Sequence, residues 1–173
     1  YNVEKKIVEK LVPKNTKYNF VSIEGVQRKS YFELLQKICL RNDINIDMYG
    51  KLEEEIPFQN YNNINYLGVF SKTESLSVIT KYDFVFCLDT SEAGCPNVLV
   101  EAFSLNKPVI AFKYGPYIEL IGKNCDRGMF INENLLLEIP EKEGYIKKMN
   151  LINKFSRKNF TFSSFEKKLI QFI

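Results

Sequence analysis

The sequence predicts an α/β fold: one domain, a mainly parallel sheet and helices on both of its faces. Short apolar runs alternate with amphipathic stretches of about ten or more residues, the order of repeated strand-helix units. The chain has 173 residues, the size of a single domain that buries one sizeable core. At 45% hydrophobic and 26% charged, its composition is that of a folded globular protein and excludes both a disordered chain and a disulfide scaffold.

Each element has a local cause. The strand candidates are Tyr18 to Ile23, Ile44 to Tyr49, Ile64 to Leu67, Phe84 to Leu88, Pro108 to Phe112 and Gly128 to Ile131. Ser30 with Glu33, and Ser71 with Glu74, have capping-box spacing and predict helix starts near positions 30 and 71. Gly94-Cys95-Pro96 supplies a third start, because Pro is tolerated at the first helical position, and that helix runs to about Leu105. Asn106-Lys107-Pro108 ends it and opens the next strand. From Glu141 onward the pattern is helical, with Tyr145, Met149, Ile152 and Phe155 in one apolar stripe and Phe162, Phe165, Leu169 and Phe172 in another.

Several function classes drop out. The balance is 24 basic against 21 acidic side chains, a net of +3 with no block of like charge, so bulk charge advertises no nucleic-acid partner. There is no His, which rules out a Ser-His-Asp triad, a Cys-His pair and His-ligated metal within this chain. Neither a metal nor a cofactor is expected. Cys39, Cys87, Cys95 and Cys125 lack short paired spacing and read as free thiols. No apolar run is long enough to cross a bilayer and the start lacks a signal-peptide layout, so the expected location is the cytoplasm. The chain opens on Tyr1, which leaves room for a preceding segment.

In a parallel open sheet the ligand crevice lies beyond the carboxyl ends of the strands, so the loops there carry the chemistry. After the first strand, Glu24 to Ser30 holds Gly25, able to make a tight turn, and then Arg28 and Lys29 just before a helix start. Free amides and the helix dipole favour an anion there, which makes this a phosphate seat; two cations on a solvated surface are the other account. After the fourth strand, Asp89 to Ala102 opens a helix on which Asn97, Glu101 and Ser104 share one face while Val98, Leu99, Ala102 and Leu105 face the core. Glu101 either belongs to a solvated stripe or accepts hydrogen bonds from two adjacent hydroxyls. Lys147, Lys148, Lys154, Arg157, Lys158, Lys167 and Lys168 could meet anionic headgroups, but interleaved glutamates fit a solvated helix face better.

The segment from Asp89 to Ala102, followed by Asn106-Lys107-Pro108-Val109-Ile110-Ala111 and by Gly115 to Ile121, resembles the nucleotide-sugar half of a family 4 glycosyltransferase of GT-B fold. Asn65 to Phe70, Tyr82 to Phe86 and Arg127 to Phe130 extend the likeness over nearly the whole chain from Tyr18. It implies a Rossmann-like domain spanning residues 1–173 that binds a sugar nucleotide, with the separate N-terminal acceptor domain absent from this chain. It implies a hexosyltransferase-like activity that the isolated domain lacks, a sugar nucleotide as substrate, and a glycan or lipid-linked acceptor in surface polysaccharide synthesis. Peripheral membrane contact would accompany such an acceptor.

By the same resemblance, Glu101 matches the second of two motif glutamates and would hold the donor ribose hydroxyls. Arg28 and Lys29, with Gly25 beside them, would face the diphosphate. Gly94, Cys95, Pro96, Asn97 and Val98 would bring the loop and helix amides to the diphosphate or sugar. The first motif glutamate has no counterpart in register, because Ala93 lies eight residues before Glu101 and Glu92 is one position out. No catalytic base is assigned. The reading from a different class is a noncatalytic nucleotide- or protein-binding module on the same scaffold.

Overall fold

The structure is a computed structural model that describes residues 18–53, 55–88 and 97–160. Within these, six strands form one sheet in the order β3-β2-β1-β4-β5-β6. They are β1 (Phe20–Gln27), β2 (Ile46–Leu52), β3 (Ile64–Tyr66), β4 (Phe84–Cys87), β5 (Val109–Phe112) and β6 (Gly128–Ile131). Every pairing among them is parallel. The connecting helices are α1 (Lys29–Asn42), α2 (Ser75–Ile79), α3 (Asn97–Ser104), α4 (Gly115–Ile121) and α5 (Lys142–Asn159). The expected α/β architecture is the one observed.

The two faces of the sheet explain the near-continuous apolar strands. Along β4 the side chains alternate: Phe84 and Phe86 pack on one side with Phe32, Leu35 and Ile38 of α1, and Val85 and Cys87 on the other with Leu99, Ala102 and Phe103 of α3. All four β4 residues are buried. Helices α2, α3 and α4 share the second face. Helix α5 joins the layers, Tyr145 packing in the first and Ile152 in the second.

Strand β1 runs four residues beyond its expected end at Ile23. Glu24 to Gln27, expected as a loop, continue the strand through a bulge: the pairs Ile23–Tyr49 and Val26–Lys51 leave Glu24 and Gly25 opposite Gly50 alone. Gly25 therefore lies within β1 and makes no tight turn. Gly50 permits the bulge, since it sits at φ 143° and a Cβ there would fall 2.2 Å from the Glu24 carbonyl oxygen. Because the strand runs longer, Arg28 becomes the N-cap of α1 in an extended conformation, and Ser30 falls inside the first turn without capping it. At Ser71 the capping box does form; the Ser71 amide donates to Glu74 Oε2 at 2.9 Å, opening a 3-10 turn that runs into α2. Helix α4, opened with Pro116 in its first turn, is one the periodicity did not single out. The apolar stripe expected at Phe162, Phe165, Leu169 and Phe172 lies outside the described residues.

Candidate functional site

Strand β1 is the point where the connections change direction. Chain leaving β1 returns through α1 to β2 on one face, whereas chain leaving β4 passes on through α3 to β5 on the other. The connections leaving β1 and β4 therefore diverge to opposite faces at the carboxyl end of the sheet, where a crevice is expected. This is the position at which an open parallel sheet accepts a ligand.

On the α1 side, Arg28 is the first residue beyond β1. Its Nε lies 3.4 Å from Oε2 of Glu53, the residue after β2, and both side chains are more than half exposed. Lys29 Nζ stands 4.0 Å from Glu33 Oε1 one turn on. Exposed ion pairs of this kind are worth about 0–1 kcal/mol, so neither cation is strongly committed. Beneath them the Gln27 side chain is buried and its Nε2 donates to the Tyr49 carbonyl at 2.6 Å, which fixes the end of β1 against β2.

On the α3 side, Asn97 is the exposed first residue of the helix and Val98 is partly buried against the layer formed with α2. Gly94, Cys95 and Pro96, with Glu92 and Ala93, lie outside the described residues. Glu101, one turn into α3, is half-buried and its Oε2 accepts a hydrogen bond from Ser75 Oγ. Ser75 heads α2 and is itself buried. Glu101 thus does not stand on a wholly solvated stripe: a neighbouring helix holds one of its oxygens. Leu99, Ala102 and Phe103 bury the opposite side of α3.

Three residues that contact these elements carry no mark in the sequence. Ser75 gave no signal beyond its place after a capping box. Glu53 follows a strand that was expected to stop at Tyr49, and with the longer strand it reaches Arg28. Glu24, carried into place by the bulge, accepts a hydrogen bond at Oε1 from the Leu88 amide at 2.9 Å and so ties β1 to the end of β4. No sequence pattern marks that contact.

The groups with displaced proton affinity are other side chains than these. On the α2 face of β2, buried Asp47 accepts from Tyr82 Oη at 2.7 Å and from Asn65 Nδ2 at 2.9 Å. Burial first, then the hydroxyl of Tyr49 and the carboxylate of Asp47, push the Tyr82 phenol well above its ordinary range. On the other face burial pushes the Cys39 thiol up to about 12. Among the described residues Cys39, Cys87 and Cys125 form no disulfide. Among the described residues no cluster of three or more acidic or cysteine side chains is placed to hold a metal ion, and no helix is long and apolar enough to cross a membrane.

The fold is shared with proteins of known structure. A glycosyltransferase from Rickettsia africae matches over 91% of this chain with a TM-score of 0.68 at 15% identity, the match covering 48% of that protein. The fold is one a glycosyltransferase carries. The crystal structure of TarM matches over 91% of this chain and 36% of its own, with a TM-score of 0.51 and 20% identity. In sequence, an uncharacterized glycosyltransferase of Haemophilus influenzae is 23% identical over 104 residues, 56% of this chain and 29% of that protein. No family model matches the chain. The chain spans less than half the length of each of these proteins.

Proposed function

We propose that this chain is the donor-nucleotide-binding, C-terminal domain of a family 4 glycosyltransferase, acting with an acceptor-binding domain that the 173 residues do not include. The observation that carries the reading is the topological switch between β1 and β4, with α1 following β1 on one face of the sheet and α3 following β4 on the other; in this reading Arg28 borders the ligand from the first side, and Asn97 and Glu101 from the second. The sequence similarity to a glycosyltransferase over 104 residues supports it. In this reading Glu101 accepts hydrogen bonds from the two ribose hydroxyls. Arg28, Lys29 and the amides at the starts of α1 and α3 hold the diphosphate. Catalysis then consists of stabilising the negative charge that grows on the departing nucleoside diphosphate, an electrostatic task that calls for neither metal nor His. The sugar is a hexose, the acceptor a glycan or lipid-linked glycan of the cell surface, and the site of action the cytoplasm, at the membrane where the acceptor is lipid-linked.

Calorimetric titration with nucleosides, nucleoside diphosphates and sugar nucleotides tests the assignment. Charge-assisted hydrogen bonds are worth about 1.5–3 kcal/mol each, so Glu101→Ala weakens every ribose-bearing ligand about tenfold or more. Replacing both Arg28 and Lys29 by Ala weakens diphosphates far more than the bare nucleoside. The isolated chain transfers no sugar to acceptor. An unchanged dissociation constant for Glu101→Ala with the tightest-binding nucleotide would refute the ribose assignment.

A further inference from the structure

A glutamate side chain has three rotatable bonds, so holding Glu101 in one orientation for a ribose costs conformational entropy unless a neighbour orders it first. The contact made by Ser75 bears on this. Ser75 is the first residue of α2, 5% exposed, and its Oγ donates to Glu101 Oε2 across the gap between α2 and α3. Its own position is fixed from the preceding turn, where the Ser71 amide and hydroxyl both donate to Glu74 Oε2, at 2.9 and 2.7 Å. Further back, the Phe70 ring packs edge-on against Tyr49 of β2, which anchors the segment entering that turn. A hydroxyl has one proton to give. Given to Oε2, it leaves Oε1 and the second lone pair of Oε2 as acceptors.

Resting on the ribose role assigned to Glu101, we propose that Ser75 is the positioning residue for that carboxylate, ordering it before the nucleotide arrives. Pre-organisation removes a cost that binding would otherwise carry, and one proton donated to the carboxylate still leaves room for both ribose hydroxyls. The inference concerns Ser75 acting through Glu101, with no contact of its own to the ligand. If Ser75 were merely a strut between α2 and α3, its loss would disturb the crevice for every ligand alike.

The test uses the whole chain and whichever of UDP, GDP and ADP it binds most tightly, alongside the 2′,3′-dideoxy form of the same nucleotide, which lacks the hydroxyls Glu101 would hold. Ser75→Ala should weaken the ribose form about five- to tenfold, the scale of ordering one rotamer-rich side chain on binding, while changing the dideoxy form less than about twofold. Combined with Glu101→Ala it should add nothing, since its effect passes through that residue. Ser75→Cys, similar in volume with a weak S–H donor, should fall between wild type and Ser75→Ala, and it serves in place of Ser75→Ala should the alanine chain not fold. Equal weakening of both ligands, no weakening, or tighter binding by the Ser75 variants would overturn the proposal. If Glu101→Ala weakens the ribose form and Ser75→Ala does not, only the positioning role fails. If Glu101→Ala itself has no effect, the ribose assignment fails with it.

Discussion

Glu53 should act against nucleotide binding, and replacing it should strengthen the affinity that replacing Arg28 weakens. The carboxylate lies 3.4 Å from the Arg28 guanidinium, so a phosphate seated on the far side of that group is about 7 Å from it, allowing for the width of the guanidinium. In water, unit charges about 7 Å apart repel by about 0.6 kcal/mol, and screening at physiological salt cuts this to about 0.25 kcal/mol. A nucleoside diphosphate carrying about two charges near the site therefore gains about 0.5 kcal/mol when Glu53 is neutralised. Freeing Arg28 from its ion pair adds at most a further fraction, because both partners are more than half exposed. The sum, about 0.5–1 kcal/mol, corresponds to roughly two- to fivefold tighter binding by Glu53→Gln. Calorimetric titration at low and at high salt measures it, and the gain should shrink as salt rises. Weaker binding by Glu53→Gln, or a gain that ignores salt, would show that Arg28 does not face the phosphates.

Three predictions concern the scaffold. Gly128→Ala places a Cβ 2.2 Å from the Val109 carbonyl oxygen of the adjoining strand, so overpacking should cost about 1–3 kcal/mol in urea unfolding; full stability would mean that β6 moves freely away from β5. Tyr82→Phe deletes the donor to Asp47 Oδ2, a charge-assisted bond worth about 1.5–3 kcal/mol, and a double-mutant cycle with Asp47→Asn should return that coupling rather than additivity. The Cys39 thiol ordinarily ionises near 9.0 and is pushed to about 12, so its contribution to stability is whole below pH 9.0 and is lost as pH climbs through the window to 12. Cys39→Ala should flatten the alkaline fall in stability by about 1.4 kcal/mol per pH unit within that window, and an unchanged slope would contradict the burial argument.

The strands were legible because a parallel sheet covered on both faces requires continuous apolar runs, and Phe84-Val85-Phe86-Cys87 or Val109-Ile110-Ala111 admit little else. Gly128–Ile131 lies where the periodicity put it. Structure departs from the sequence pattern where tertiary pairing overrides local chemistry. Gly25 reads as a turn in isolation, yet with Gly50 opposite it on β2 it becomes a bulge, and that partnership is long-range. Ser30 lost its capping role for the same reason, since the longer strand moved the helix boundary to Arg28. The helix bearing Glu101 could be placed from Pro96 and the apolar spacing. Its hydrogen bond to Ser75, 26 residues away on another helix, has no local signature in the sequence, nor does the reach of Glu24 to Leu88, 64 residues on.

The sheet is two three-stranded halves joined by the β1–β4 pairing, recorded at Phe20–Phe84, Val21–Val85 and Ser22–Phe86. The carboxyl end of that seam is the switch point, so the chain has its weakest sequence continuity where the proposed ligand would sit. Residues that adjoin in space there are 64 positions apart along the chain, which makes the seam one of the costly late closures of folding. A molecule lodged across it is then more than cargo. By touching both halves it opposes their separation, so protection of the β1 and β4 amides from hydrogen exchange should report occupancy of the crevice.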